Sequence, residues 1–214
     1  MKRIQPKIAQ QAENGNLHAA ILDALEAGEP VENMAFEKDQ VDQIRSRDLE
    51  FSSCSFRNVQ FSEFDVKHMH LSDCEFIHCD LSGLTFREGT MIRCTFTDCR
   101  MTGCNVDRMM LRDVLFEDCA LKYASLSDTK MERCEFIGCD FTEAMLFGLQ
   151  PKSWCIARCK LKGTQIRECS LKGLNLSDSE IDDLIAPPEA LQGVTVSYLQ
   201  AAEVLSLFGV RIVP

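Results

Sequence analysis

Apolar residues recur at every fifth position along most of the chain. Of the 27 positions taken in steps of five from Phe51 to Ile181, 26 are apolar and Pro151 is the exception. A second series lies two residues earlier, from Cys54 to Leu184, and contains no charged residue. A period of five is neither the 3.6 of an α-helix nor the 2 of a β-strand. Two inward residues separated by one outward residue predict a short extended step followed by a turn.

A longer period of twenty residues is superimposed on the period of five. Positions twenty residues apart form a column that begins with six phenylalanines and ends with two aliphatic residues. Its members are Phe36, Phe56, Phe76, Phe96, Phe116, Phe136, Ile156 and Leu176. Such self-similarity is typical of stacked repeats, so four five-residue sides are expected to close one coil. With about 4.8 Å between coils, about seven coils would give a rod roughly 35 Å long. The phenylalanine column is the predicted core ladder.

Eleven of the twelve cysteines fall in the second series. Two neighbouring columns hold most of them: Cys54, Cys74, Cys94 and Cys134 in one, and Cys79, Cys99, Cys119, Cys139 and Cys159 in the next. Spacings of 5, 15 and 20 differ from the paired spacing of zinc sites. We interpret these thiols as small apolar core groups, free rather than in disulfides. Cys155 is out of phase and is the candidate reactive thiol.

The pattern resembles the pentapeptide-repeat family, whose consensus is a small residue, Asp or Asn, Leu and two polar residues. The chain shows it as Cys79-Asp80-Leu81, Cys139-Asp140-Phe141 and Leu174-Asn175-Leu176. The resemblance covers roughly residues 36 to 196. It implies an all-β solenoid, namely a right-handed quadrilateral β-helix, which we expect over residues 31–186 in about seven to eight coils.

Both ends of the solenoid are predicted to carry α-helical caps. Residues 1–30 contain apolar residues at roughly helical spacing, with Asn14 or Asn16 as the start of a second helix and a stop at Gly28-Glu29-Pro30. Residues 187–214 follow the break at Pro187-Pro188 and include a predicted helix over 197–208, closed by Gly209. We expect the N-terminal helices to cover the first coil, because their apolar side chains would otherwise be exposed.

One stretch departs from the repeat without shifting its frame. Pro151 occupies the large-residue series and Trp154 the small-residue series. The sequence therefore predicts a bulged side, with Trp154 pointing outward because an indole is too large for a cysteine's position.

The net charge of −10 argues against a general nucleic-acid binder, which needs a basic surface, and permits attraction to a basic partner. Glu180, Asp182 and Asp183 form an acidic end, which with Trp154 is the candidate partner surface. A basic stretch precedes it and comprises Lys152, Arg158, Lys160, Lys162, Arg167 and Lys172. The sequence has no apolar run of membrane-spanning length and no secretory signal pattern, so we expect a cytoplasmic protein.

No motif for catalysis, cofactor binding or metal binding is present in the sequence. His68 and His70 flank the inward Met69, so both are expected to point outward, as is His78. We therefore expect neither an enzyme nor a metal or cofactor site.

Three hypotheses for function follow. The first is a non-enzymatic protein-interaction module with an unknown protein partner. The second comes from a distant similarity to the Qnr-type group of bacterial pentapeptide-repeat proteins, acidic dimeric rods that bind DNA gyrase and topoisomerase IV in place of DNA and protect them from quinolones. That similarity implies a homodimer formed through the C-terminal helix by Tyr198, Leu199, Ala202, Leu205 and Phe208. The loops inserted between coils in the protecting members are missing here. The third hypothesis is a redox sensor based on Cys155.

Overall fold

A parallel β-helix of about eight coils makes up most of the chain in the computed structural model, which describes residues 2–9 and 12–211. Each coil has four sides, so the stack has four faces, which we number by their inward columns. Face 1 contains the column Phe36–Leu176, face 2 the column Val41–Ile181, face 3 the column Val66–Ile166 and face 4 the column Val31–Leu191. The predicted solenoid class is confirmed.

Most strands are short, and they are distributed over all four faces of the stack. Face 1 carries β1 (Glu13–Asn14), β3 (Met34–Glu37), β6 (Ser55–Arg57), β9 (Glu75–Ile77), β12 (Thr95–Thr97) and β15 (Leu115–Glu117). Face 2 carries β4 (Gln40–Val41) and β7 (Gln60–Phe61). Face 3 carries β10 (Thr85–Arg87), β13 (Asn105–Asp107), β16 (Ser125–Ser127), β18 (Met145–Phe147) and β20 (Gln165–Arg167). Face 4 carries β2 (Val31–Glu32), β11 (Thr90–Ile92) and β14 (Met110–Arg112).

Four longer strands continue around a corner. Two of them, β5 (Ile44–Ser52) and β8 (Phe64–Ser72), join faces 3 and 4. The other two, β17 (Lys130–Ile137) and β19 (Gln150–Ala157), join faces 4 and 1. Pairing between coils is parallel and joins residues twenty apart, as in Phe96↔Phe116 and Phe86↔Val106. The twenty-residue period of the sequence is therefore the length of one coil.

The phenylalanine column of face 1 fills the centre of the solenoid. From Phe56 to Phe136, successive ring centroids lie 4.4–4.9 Å apart and the ring planes differ by only 3–9°. This spacing matches the distance of about 4.8 Å between paired strands, so each ring stacks directly on the ring of the next coil. Stacked aromatic pairs add stability beyond the apolar area they bury.

Many cysteine and threonine side chains of the small-residue columns donate a hydrogen bond to a carbonyl of the coil below. The Cys119 thiol donates to the carbonyl of Phe96, with Sγ 3.3 Å from the oxygen. Thr164 Oγ1 donates in the same way to the Phe141 carbonyl, at 2.8 Å. All twelve cysteines are free, and the eleven of the second series are buried. Small donors fit these positions because each can satisfy its polar atom on a backbone carbonyl.

Most sides of a coil end in a turn where the backbone is left-handed. Non-glycine residues with positive φ occupy many of these positions, as at Asn58 (φ 55°), Asp98 (φ 52°) and Tyr123 (φ 57°). A left-handed residue turns the chain from one side of the coil into the next, and Asn, Asp and Gly adopt this conformation at low cost.

The predicted bulge is confirmed, but the predicted orientation of Trp154 is wrong. Between β17 and β19, Met131 pairs with Pro151, Glu132 with Ser153 and Cys134 with Trp154, so Lys152 and Arg133 fall outside the register. Trp154 is only partly exposed and packs against the core. Burial of indole area is strongly favourable, and the irregular pairing at this side accompanies its entry into a cysteine column.

Helix α1 (Leu17–Ala27) packs across the first coil against β2, β4 and β5. The Asn16 side chain accepts a hydrogen bond from the amide of Ala19 and begins the helix, while Gly28 ends it in a left-handed conformation. Leu17 and Ile21 are fully buried. The helix thus covers apolar side chains of the first coil.

The helical expectation is wrong for the residues before α1. Residues 2–9 are not helical and run along the side of the solenoid, and β1 then pairs with β3. Pro6 has no amide hydrogen, and the amides of Ile4 and Lys7 donate to carboxylates of distant coils instead of to a helix. We call residues 2–9 the N-terminal arm.

The C-terminal end is built from three short helical segments. Two 3₁₀ helices, Pro188–Leu191 and Tyr198–Gln200, precede α2 (Ala201–Leu207). The predicted helix over 197–208 is therefore divided into a 3₁₀ turn and a seven-residue α-helix. Gln200 Nε2 donates to the carbonyls of Leu176 and Ser179, at 2.9 and 2.6 Å, which fixes this end to the last coil.

Candidate functional site

A column of alternating charge lies at the corner where face 4 meets face 1. Its members are Asp73, Arg93, Asp113 and Arg133, each twenty residues from the next. Arg93 Nε donates to Asp73 Oδ1 at 2.7 Å, and Arg133 Nε donates to Asp113 Oδ1 at 2.7 Å. Asp73 and Asp113 are buried, with exposed fractions of 8% and 1% for the whole residues. Buried carboxylates are tolerated when they are paired and hydrogen-bonded, as here.

Both buried carboxylates have pKa values below the ordinary aspartate value. Burial alone would raise the pKa of Asp73, but the hydrogen bonds from Arg93 and from the Lys7 amide outweigh it and lower the pKa. At Asp113 the hydrogen bond from Arg133 is the main cause of the lowered pKa, opposed by burial and assisted by the Ile4 amide. Both groups are therefore carboxylates at neutral pH.

The N-terminal arm crosses this charged column. The Ile4 amide donates to Asp113 Oδ1, and the Lys7 amide donates to Asp73 Oδ1, each at 2.9 Å. The two aspartates belong to coils two steps apart, a separation of about 9.6 Å. Three residues of extended chain span about 10 Å. An extended arm can therefore place two amides that are three residues apart on carboxylates that are two coils apart.

Arg3 anchors the end of the arm nearest the middle of the rod. Its side chain is almost fully buried, and its Nε lies 3.5 Å from Glu135 Oε2. Nη2 donates to the Gln5 side chain at 3.0 Å. Within the described part of the chain, Nε and Nη1 have no acceptor in hydrogen-bonding geometry. We call Asp73, Asp113 and Glu135, with the arginines that pair with the aspartates, the corner site.

Sequence reasoning missed the corner site. Charges of alternating sign occur at positions 73, 93, 113 and 133, which are twenty residues apart and therefore stack. This alternation is the signal in the sequence that could have revealed the ion pairs. The arm itself gave no comparable signal, because its acceptors lie 66 and 109 residues away in sequence.

The C-terminal cap exposes the residues that were predicted to form the dimer interface. Tyr198 is 92% exposed and Leu199 85% exposed, and Ala202, Leu205 and Phe208 are also exposed. Val204 and Leu207 are partly buried against the solenoid. The cap therefore turns one apolar side to the last coil and the other to solvent.

The candidate partner surface is not continuous. Glu180, Asp182 and Asp183 are exposed on face 2, whereas Trp154 packs against the core at the bulge. The basic Lys160 lies beside Glu180 in the adjacent coil, since the two residues form a parallel bridge. The acidic end is thus next to part of the basic stretch.

His68 and His70 contact side chains of adjacent coils. His68 lies between two carboxylates, with Nδ1 2.7 Å from Asp48 Oδ1 and Nε2 3.4 Å from Glu88 Oε2, and His70 faces Thr90. Burial, followed by the nearby Glu135 and Asp178, raises the pKa of the Cys155 thiol. Residues 2–9 and 12–211 contain no group of three His, Cys, Asp or Glu side chains that could hold a metal ion.

Comparison with known proteins identifies the repeat. Residues 69–146 match the family model described as a pentapeptide repeat region. Residues 69–146 are thus a pentapeptide-repeat region, and the chain is similar to pentapeptide-repeat proteins. Curated proteins contain no match to it.

Several solved structures resemble this chain. A trypsin-treated form of QnrB1, described as a plasmid-mediated fluoroquinolone resistance protein, is 22% identical, with 87% of this chain and 91% of that chain covered and a TM-score of 0.44. Full-length QnrB1 is 17% identical, with coverages of 84% and 99% and a TM-score of 0.35. The pentapeptide repeat protein Rfr23 from the cyanobacterium Cyanothece 51142 is 13% identical, with coverages of 50% and 64% and a TM-score of 0.28.

No helix in the described part of the chain has the length and apolar character needed to cross a membrane.

Proposed function

We propose that this protein is a non-enzymatic protein-interaction module that self-associates through its C-terminal cap. The observation that carries the proposal is the near-complete exposure of Tyr198 and Leu199, neighbours on the same cap. Tyrosine is enriched among residues that dominate interface energies. Complete burial of a leucine side chain contributes about 1.5–3 kcal/mol, so covering this side of the cap is favourable.

A two-fold arrangement of caps would bury the same apolar side from both chains. The exposed apolar residues of α2, namely Ala202 and Leu205, lie on the side that faces away from the solenoid, and Phe208 follows directly after the helix. The faces of both rods would remain free for a further protein partner. A cytoplasmic location, as expected from the sequence, belongs to the same proposal.

Light scattering coupled to size-exclusion chromatography tests self-association. The wild-type chain of 24.2 kDa should elute with about twice that mass at micromolar concentration. The double variant Tyr198→Ser, Leu199→Ser should elute as a monomer. Tyr123→Ser is the matched control, because Tyr123 is 59% exposed but lies on the side of the rod, and it should remain a dimer. A monomeric wild-type chain would sink the proposed interface.

The distribution of charge favours a second candidate partner, a basic protein surface that normally binds DNA. Face 1 carries seven outward carboxylates and three outward cations, and face 2 carries eight carboxylates and four cations. Face 3 carries six carboxylates and six cations, and face 4 carries five carboxylates and six cations. Two adjacent faces are therefore acidic, and clustered charge of one sign steers binding of the opposite sign.

The resemblance to the Qnr-type group makes DNA gyrase and topoisomerase IV the partners to try. Inhibition of purified enzyme that competes with DNA, weakens with salt and is lost in an Asp182→Lys, Asp183→Lys variant would support DNA mimicry. Equal inhibition by that variant would argue against a role for face 2. Cys155 gives no support to a redox role, because a raised pKa lowers the thiolate fraction at neutral pH.

A further inference from the structure

The corner site has the properties of a peptide-binding site that is already occupied by a segment of its own chain. We propose that it binds extended, arginine-bearing peptide segments of a partner protein, and that the N-terminal arm is a self-ligand that such a segment displaces. This surface lies on the side of the rod, and Asp73, Asp113 and Glu135 are remote in sequence from the cap residues. The inference therefore goes beyond the proposed self-association.

The corner site recognises backbone rather than most side chains. Two of its contacts with the arm are hydrogen bonds from main-chain amides, those of Ile4 and Lys7. The Ile4 side chain is 51% exposed, and Lys7 is exposed as well. Any extended segment whose first and fourth residues keep their amide hydrogens can make the same two bonds.

The spacing of the aspartates selects an extended segment. Asp73 and Asp113 stand two coils apart, and the amides that they accept from are three residues apart. A helical segment would advance only about 4.5 Å over three residues and could not reach both carboxylates. Because the coil spacing is set by backbone pairing, the site is rigid before any ligand binds.

One position of the segment is chosen by charge. The residue before the first bonded amide is Arg3, and its side chain is buried next to the Glu135 carboxylate. A carboxylate next to a buried side chain favours a cation over a neutral group at that position. The preferred segment therefore contains an arginine. The amides that donate to Asp113 and Asp73 belong to the first and the fourth residue after that arginine.

The self-ligand is held loosely enough to exchange. Residues 2–9 pair with no strand, and two nitrogens of the buried Arg3 guanidinium find no hydrogen-bond acceptor among the described residues. Buried donors without acceptors weaken binding. A partner segment that brings an acceptor close to its own arginine would hold its guanidinium better than the arm does.

A labelled peptide that copies the arm tests the proposal. The peptide Lys-Arg-Ile-Gln-Pro-Lys-Ile-Ala reproduces residues 2–9, and its binding to the full chain is followed by fluorescence anisotropy. The receptor is the Arg3→Glu variant of the full chain, in which repulsion by Glu135 releases the arm and leaves the corner site unchanged. We expect saturable binding, at least about tenfold tighter than to the wild-type chain, whose own arm competes at high effective concentration.

Two peptide controls separate specific recognition from charge attraction. Methylation of the Ile4 amide removes one donor without changing a side chain and should weaken binding at least about tenfold. Methylation of the Gln5 amide, which makes no bond to the corner site, should change binding by less than about threefold. Replacement of the peptide arginine by glutamate should abolish binding.

The outcomes are decisive in both directions. Failure of the peptide to bind the Arg3→Glu chain at about millimolar concentration, or equal binding of the Ile4-methylated peptide, would overturn the proposal. Circular dichroism checks that the variant is folded, and Lys7→Pro, which removes the second arm amide, is the alternative receptor if it is not. None of these results depends on the C-terminal cap, so the peptide test and the dimer test can fail independently.

Discussion

Arg133 and Asp113 are joined across adjacent coils by two parallel hydrogen bonds, from Nε at 2.7 Å and from Nη2 at 2.8 Å. The same carboxylate accepts the amide of Ile4. One buried side chain therefore connects two coils and the N-terminal arm. Arg93 and Asp73 repeat the arrangement two coils away, with Lys7 in place of Ile4.

The lowered pKa values of Asp73 and Asp113 predict a loss of stability in acid. A folded pKa below the unfolded value of about 3.9 stabilises the protein above that pH, and the contribution disappears as the pH falls through the folded values. The variant Asp73→Asn, Asp113→Asn should be less stable than wild type at pH 7 by about 1–3 kcal/mol per site.

Thermal melts between pH 7 and pH 2 test this prediction. The difference in melting temperature between wild type and the double variant should shrink below about pH 4, because protonation removes the same charges from the wild type. Asp42→Asn, at an exposed position on face 2, is the control and should leave the melting temperature almost unchanged. A difference that stays constant over the whole range would contradict the assignment.

The architecture could be predicted because the solenoid is periodic. The inward columns, the cysteine columns and the bulge near Pro151 all follow from residues five or twenty positions apart, and the coil spacing then fixes which residues stack. The arm could not be predicted, because its conformation depends on carboxylates brought to it only by the completed stack. The size of the indole alone predicts an outward Trp154, whereas the irregular β17–β19 pairing accommodates it against the core.

The phenylalanine stack should account for a large share of the stability. Phe96 is fully buried between Phe76 and Phe116, with centroid distances of 4.7 and 4.9 Å. Phe96→Ala should lower the free energy of unfolding by about 3–5 kcal/mol, because a cavity replaces two ring contacts. Thr97→Ala changes the next residue, which points outward, and is the control. Urea denaturation measures both, and a loss below about 1 kcal/mol for Phe96→Ala would show that the stack can collapse around the cavity.

Gly89 is required by the close approach of two coils. A Cβ atom at this position would lie 1.9 Å from the carbonyl oxygen of Met69, and the Gly89 amide donates to Met109 Sδ at 3.0 Å. Gly89→Ala should therefore destabilise the protein by about 1–3 kcal/mol, since the backbone must shift. Gly15→Ala is a matched control, because the only close contact of its Cβ would be with the flexible end of Met34, and Phe36 would lie at an ordinary van der Waals distance. Equal melting temperatures for the two variants would contradict the predicted clash.

The cysteines should be almost inert in the folded protein. Burial raises the pKa of Cys104 and Cys134 to about 12, and the exposed fractions of the eleven second-series cysteines do not exceed 7%. A thiol reagent at pH 8 should react slowly with one group per chain, Cys155, because its own pKa is raised and it is only partly exposed. Cys155→Ser should abolish this reaction, and all twelve thiols of the wild type should react in denaturant. Rapid modification of several thiols without denaturant would mean that the coils open locally, which the continuous pairing between them does not allow.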